Sequence, residues 1–420
     1  MNKKKILFGL VASFLFSAII GCGGSHRSKG KINSNKNDTA TAYISPIEFT
    51  PIINVYIENS GSMDGYVKGQ TDFEHIVYNY LVDLKQIRIA KELNLNYINS
   101  QILRQQDDIN DFIEKLEPTS FKAKGGDRGS SDIALMVKDI LAEMNDSVVS
   151  IFISDCIFSP GKGKNADDYL TNQQIGIKNY IGDYLYAHPQ LAVVGYRCMS
   201  QFEGYCYDKN NAGKYYKGPR PFYIWLFGGQ GALNRIRIEM QKKNRFLKGV
   251  ENVFTVFAGG VDIPDTCYAI KIKSGSFDLD KSDPKQSLKN LKADKGGRIR
   301  FSVEVNYAPL ILSDDYLCNT ELYELSDSKF ELVSVERISE YKKYSHVLTF
   351  ETKQVHPSTL EIYLKKGIPT WPQQYNDDEG NEITDENADK TFGIKYMTDG
   401  IFETFASKDY YARMTININK

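Results

Sequence analysis

An α/β domain built on a doubly wound, mostly parallel sheet, followed by an all-β sandwich, is the architecture that this chain of 420 residues predicts. Two patterns carry the expectation. From residue 52 to residue 258, short apolar runs rich in β-branched residues alternate with stretches of helical periodicity, as in strands covered on both faces by helices. After about residue 263 the helical stretches stop, and the runs follow one another across clusters of Asp, Ser, Gly and Pro. Composition agrees with a folded chain: 41% of residues are hydrophobic and 12% aromatic. At roughly 100 to 200 residues per domain there is material for two or three cores. The 52 Lys and Arg against 53 Asp and Glu leave a net charge of −1, so there is no global basic excess to hold phosphates and no nucleic-acid partner is expected.

The first element is an export signal. Lys3, Lys4 and Lys5 precede the apolar run from Ile6 to Ile20 and the pair Gly21-Cys22. The run is shorter than the roughly 20 residues that span a bilayer, and a basic start, short apolar centre and small-residue end mark a segment removed on maturation. Apart from Ile20, the ending Ile19-Ile20-Gly21-Cys22 resembles a bacterial lipobox. That resemblance implies a signal peptide over 1–21, cleavage before Cys22 and lipidation of its thiol, with palmitate among the acyl groups. Residues 22–48, rich in Gly, Ser, Lys and Asn without periodicity, read as a flexible tether. The expected location is the bacterial cell envelope, held to a membrane by the N-terminal lipid; no acidic cluster follows Cys22, which points to a periplasm-facing protein. Of the remaining cysteines, the close pair Cys198 and Cys206 is the first candidate for a bridge in an oxidising compartment, with free thiols as the alternative.

The α/β domain is placed at 49–263. Ile52 to Ile57 is the first strand, followed by a Gly-containing loop and a helix read from Phe73, Ile76, Val77, Tyr80, Leu81 and Leu84. A second helix is read from Ile133, Val137, Ile140, Leu141 and Met144, and it leads into the strand Val148 to Ile153. Leu191 to Tyr196, Phe222 to Phe227 and Val253 to Ala258 repeat the strand signature, with helices near Gln173 to Tyr186 and Leu233 to Lys243. The Tyr-rich segment Arg197 to Arg220 reads as a long insertion between strands. Sheets of this kind take ligands at the carboxyl ends of their strands, so the loops after Ile57, before Ile133 and after Ile153 are where chemistry is expected.

Those loops carry an oxygen-only set: Glu58-Asn59-Ser60-Gly61-Ser62-Met63, Gly129-Ser130-Ser131-Asp132-Ile133 and Ser154-Asp155-Cys156. Hydroxyls and carboxylates without thiolate or imidazole suit a hard cation. The same three motifs resemble the von Willebrand factor type A domain with its metal-ion-dependent adhesion site. That family reads Asp-x-Ser-x-Ser after strand one, often Asp-x-Ser-Gly-Ser-Met, and residues 58 to 63 match with Glu58 in the Asp place. The resemblance implies Ser60 and Ser62 as direct ligands, Ser131 in the place of the family's Thr with Ser130 as an alternative, and Asp155 as the later Asp, before Cys156 where the family usually has Gly. It implies Mg²⁺, Mn²⁺ or Ca²⁺ at Glu58, Ser60, Ser62, Ser131 and Asp155, and a protein partner of the envelope supplying a carboxylate as last ligand. Glu58 is one methylene longer than Asp; it either binds directly or disables the site, in which case no ion is held. Taken as turn chemistry alone, the same Ser-Gly-Ser and Asp155 would cap helices or close turns.

Other chemistry is excluded. The five histidines are scattered and no cysteine spacing suits zinc. Gly228-Gly229-Gln230-Gly231 lacks the endings of a nucleotide loop, Ser62 is in no Gly-x-Ser-x-Gly elbow, and the acidic run Tyr375 to Asp389 does not fit an EF-hand and reads as a solvated loop, with an irregular calcium site as the alternative. Residues 264–420 offer about seven strands: Tyr268 to Lys273, Arg298 to Tyr307, Thr320 to Leu325, Phe330 to Ile338, His346 to Glu351, Thr359 to Lys365 and Tyr410 to Asn419. That is the number of an immunoglobulin-like sandwich. The expected function is non-enzymatic: a lipid-anchored envelope protein that binds a partner through a divalent cation. Two alternatives stand beside it, a metal-dependent hydrolase or transferase, and a structural or glycan-binding lipoprotein with a vestigial site.

Overall fold

The computed structural model describes residues 51–419, except 106–107, 115, 130, 161, 265–266, 281–286, 339–342 and 355. The expected signal peptide, Cys22 and tether, and Ser130, lie outside the described residues. Among those described, no helix is long and apolar enough to cross a membrane, which says nothing of a β-barrel.

The first half is a mixed seven-stranded sheet with helices on both faces. In chain order it runs β1 (Ile52–Glu58), α1 (Asp72–Ile87), β2 (Glu92–Ile98), β3 (Ile102–Arg104), α2 (Ile109–Glu114), α3 (Pro118–Lys122), α4 (Ile133–Ala142), β4 (Val148–Ser154), α5 (Ala166–Ala187), β5 (Leu191–Tyr207), β6 (Gly213–Gly229), α6 (Gln230–Lys242) and β7 (Val250–Phe257). The strand order is β3-β2-β1-β4-β6-β5-β7. Local chemistry places the helices: the Thr71 hydroxyl accepts from the Glu74 amide at the start of α1, Asp132 caps α4 through the Leu135 amide, and Asn165 caps α5. The apolar stripes expected for α1 and α4 are the buried ones. Helices α1 and α6 cover one face of the sheet, over Ile53, Val55, Ile151 and Ile153; α4 and α5 cover the other, over Tyr56, Phe152 and Trp225.

The sheet is not mostly parallel. Only β1 with β2 and β1 with β4 pair in parallel, while β2–β3, β4–β6, β6–β5 and β5–β7 are antiparallel. The cause lies in residues 197–220, read from sequence as an insertion. They continue β5 and β6 into one hairpin paired from Leu191–Gly229 to Tyr207–Gly213. A tight hairpin joins antiparallel neighbours, whereas parallel ones need a long crossover. The returning strand β6 therefore slots between β4 and β5. The same strand rules out a Cys198–Cys206 bridge: both thiols are free and buried, and eight residues of extended chain hold their backbones roughly 26 Å apart, beyond any disulfide.

The second half continues with β8 (Val261–Asp262), β9 (Tyr268–Ser274), β10 (Ser276–Leu279), β11 (Leu288–Lys292), β12 (Ile299–Val305), α7 (Asp314–Leu317), β13 (Tyr323–Leu325), β14 (Phe330–Arg337), β15 (His346–Thr352), β16 (Ser358–Lys365), α8 (Trp371–Gln374), β17 (Asn376–Asp377), β18 (Thr391–Phe392), α9 (Ile394–Thr404) and β19 (Tyr410–Ile418). Apart from a β17-β18 pair, two sheets form, β14-β15-β12-β9 and β10-β11-β19-β16-β13, with β8 added beside β19. They touch where Phe277 meets Phe301 edge-on at 6.2 Å and the Tyr268 hydroxyl donates to Thr415 O. All seven expected segments contribute strands, with β13 shortened by a 3₁₀ turn at Thr320–Leu322; β8, β10, β11, β17 and β18 are additional. Helix α9 leaves these sheets and buries Ile394, Met397 and Ile401 in the core under α5.

The acidic run 375–389 is not a freely solvated loop. Basic side chains of the β5–β6 hairpin take its backbone carbonyls: Arg220 donates to Ala388 O and Lys390 O, Arg197 to Asp389 O, Lys214 to Ile383 O and Lys209 to Glu379 O. Arg197 also lies over the Tyr375 ring, 3.7 Å from its centre.

Candidate metal centre

The three sequence motifs converge at the carboxyl ends of the adjacent parallel strands β1 and β4. Glu58 ends β1 and Ser154 ends β4, one step beyond the Ile57–Ile153 pair of the register. Chain departs from these strands to opposite sides of the sheet, which opens a crevice between the loops. It holds a cleft of about 80 Å³ lined by Ser60, Ser62, Ser131, Arg128, Tyr207 and Asn211, among others. Glu58, Ser60, Ser62, Ser131 and Asp155 are all buried.

The hydrogen bonds fix each group. Ser60 Oγ and Ser62 Oγ are 3.0 Å apart. Both carboxylate oxygens of Glu58 are engaged: Ser131 Oγ donates to Oε1 at 2.6 Å and Ser154 Oγ donates to Oε2. Glu58 thus sits behind Ser131, held by two hydroxyls. Asp155 Oδ1 accepts from the Ile157 amide at 3.2 Å, which is the turn role weighed from sequence, but its buried Oδ2 has no hydrogen-bond partner among the described residues. Cys156 turns the chain away with φ of 53°, a left-handed conformation that glycine adopts more readily, and the Trp225 indole donates to its sulfur at 3.3 Å.

Electrostatics follow from two carboxylates buried together. Burial first, and the charge of Asp155 second, push the Glu58 carboxyl up to about 7, against the hydroxyls of Ser131, Ser154 and Ser60. Burial also raises Asp155, while the Ser62 hydroxyl, the Ile157 amide and the Arg220 guanidinium pull the other way. Like charges in low dielectric cannot both ionise freely. A cation between them, or a proton on one, relieves the repulsion.

Several contributors escaped the sequence reading. Arg128 braces the first loop by donating to Asn59 O at 2.9 Å and Ser60 O at 3.0 Å, and it pairs with Asp64. Lys122 adds a second cation to Asp64 at 3.3 Å, so both oxygens of that carboxylate are ion-paired. Ser154, the second donor to Glu58, adjoins Asp155, and the strand-end position was its only signal. Tyr207 and Asn211 come from the hairpin turn; Asn211 donates to Gly129 O at 3.2 Å and closes one side of the cleft. Nothing in local sequence links residue 211 to residue 129.

The donor chemistry fits a hard divalent cation: hydroxyl and carboxylate oxygens only, with one buried carboxylate oxygen unpartnered. Among the described residues, no group of three or more His, Cys, Asp or Glu is placed to hold a metal. Comparison with known proteins adds no relative: no family model, no curated protein and no solved structure matches the chain.

Proposed function

We propose that this chain is a lipid-anchored protein of a bacterial cell envelope whose α/β half, similar to a von Willebrand factor type A domain, binds a protein partner through a divalent cation and catalyses no reaction. The observation that carries the reading is the buried Asp155 carboxylate, with Oδ2 lacking a hydrogen-bond partner, just beyond the end of β4 and beside the cleft that Ser60, Ser62 and Ser131 line. Those four residues would hold the ion, with Glu58 orienting Ser131 from behind. Mg²⁺, Mn²⁺ or Ca²⁺ there would supply an open coordination position for a partner's carboxylate. The left-handed Cys156 supports the resemblance, since it stands where that family usually has Gly. One antiparallel sheet and one mixed sheet, in contact through Phe277 and Phe301, support an immunoglobulin-like sandwich as a spacer or second contact surface. A hydrolase is disfavoured because Asp64 is ion-paired and Glu58 is saturated by serine donors.

Calorimetric titration of Mg²⁺, Mn²⁺ and Ca²⁺ tests the centre. The expected result is saturable one-site binding that vanishes in Asp155→Ala, together with metal-dependent thermal stabilisation of the parent alone. Absence of both effects at millimolar metal would remove the cation from the function and leave a vestigial site. The anchor is tested separately: Cys22→Ala should move the protein from the membrane fraction to the soluble fraction, and unchanged membrane association would refute lipidation at that thiol.

A further inference from the structure

A second cavity, sharing no lining residue with the serine cleft, lies on the face of the sheet that α1 and α6 cover. It measures about 280 Å³ and is bounded by α6, by β5, β6 and β7, and by residues 311–314 and 337 of the second half. Its floor is aliphatic: Val194, Leu226, Leu233, Ile236, Met240 and Val253. Charged groups are few and unbalanced, with three guanidiniums, Arg237, Arg245 and Arg337, against the carboxylate of Asp314.

Two of those guanidiniums are matched. Arg337 pairs with Asp314 at 2.8 Å, and Arg245 pairs with Asp83 and donates to Gln86. The same Asp314 oxygen lies 3.4 Å from His346 Nε2. Arg237 differs. Its Nη2 donates to Asn234 Oδ1 at 2.7 Å and to Ala308 O at 2.5 Å, both neutral acceptors. Its Nε is buried with no hydrogen-bond partner, and among the described residues no carboxylate is ion-paired with it. An arginine stays charged in proteins, so it must find an anion or retain an uncompensated charge beside an apolar wall. Burial, and the charge of Arg337 with it, disfavour the charged guanidinium, while Tyr196 and Asp314 pull the other way.

We propose that this cavity binds a small amphipathic carboxylate, of the medium-chain fatty acid class, with its head on Arg237 and its hydrocarbon among Leu226, Leu233, Ile236, Met240 and Val253. Size selects against larger occupants: the volume is at the low end of ligand cavities, roughly 300 to 1,000 Å³. A single unmatched guanidinium calls for a single anionic head, and Arg takes a carboxylate through two parallel N–H donors. The aliphatic floor, with no polar group on the strand residues named, calls for a hydrocarbon tail rather than a sugar or nucleotide. This site is independent of the cation reading.

The test is calorimetric titration of decanoate and of 1-decanol into the full chain. Decanoate should bind at one saturable site, and 1-decanol, which has the tail without the charge, at least about tenfold more weakly. Arg237→Gln should reduce decanoate binding to the level of decanol; Val253→Phe, which fills the floor, should abolish both while the protein keeps a cooperative unfolding transition. Asp155→Ala should bind decanoate as the parent does, which separates this result from that of the metal titration. Failure of the parent to bind decanoate saturably overturns the proposal, as does equal affinity for the alcohol or undiminished binding by Arg237→Gln. Should either variant fail to fold, the comparison of acid with alcohol in the parent still decides.

Discussion

Replacing Glu58 by Gln tests whether the buried carboxylate pair governs the pH dependence of stability. Glu58 is 0% exposed and Asp155 1% exposed. Burial and the neighbouring charge raise the Glu58 carboxyl from 4.5 to about 7. Between those values the folded chain keeps a proton that the unfolded chain has released. Unfolding then releases a proton, so stability is greatest below the unfolded value, falls as pH rises through this window and levels off above it. At about 1.4 kcal/mol per pH unit, the rise from 4.5 to about 7 caps the loss at about 3 kcal/mol. Gln keeps the shape and removes the charge. Urea unfolding of parent and Glu58→Gln in the presence of chelator, from about pH 4.5 to pH 8, reads the effect as the difference between two profiles. The difference is needed because the half-buried Glu74 carboxyl is also raised to about 7 by burial and contributes equally to both proteins. The parent should lose more stability than the variant across this window. Identical slopes would refute the claim that Glu58 carries the strained charge.

Two further perturbations probe the frame around the site. Gly195→Ala would place a methyl group inside the van der Waals envelope of the buried Trp225 ring and should cost about 1–3 kcal/mol, whereas Gly229→Ala, with no atom near the new methyl, should stay within about 0.5 kcal/mol in the same denaturant assay. Equal costs would show that the Trp225 packing does not set the requirement for Gly195. Arg220→Met strips Ala388 O and Lys390 O of their donor and should destabilise by about 2–4 kcal/mol; hydrogen exchange should accelerate over 386–392 before the central strands, and unchanged protection there would refute the clamp.

Much of the fold was legible because it depends on local pattern. The stripes of α1 and α4, the buried strands β1 and β4 and the strands of the second half follow from periodicities that each segment carries by itself. The candidate ligands were legible for a related reason: the carboxyl ends of parallel strands are where such sheets present side chains, and the hydroxyls and acids of these loops sit at those ends. Strand β2 was missed because its outer half alternates polar residues, as in Glu92-Leu93-Asn94, and only its inner half is buried. The hairpin was misread because its outer residues are polar and aromatic, which suits an extended ribbon as well as a loop.

By itself the sequence determined which strongly periodic segments become helices and strands, and that oxygen donors cluster in three loops. Only the tertiary structure decided sheet direction, because hydrogen-bond partners across β4, β6 and β5 are chosen by which hairpin closes and not by any residue's propensity. It alone decided that Glu58 stands behind Ser131 with both oxygens occupied, that Arg128 neutralises Asp64, and that the acidic run is strapped to Arg197 and Arg220. Each of these is an interaction between groups more than 60 residues apart in the chain, and the strength of such an interaction depends on distance and dielectric, which exist only once the chain has folded.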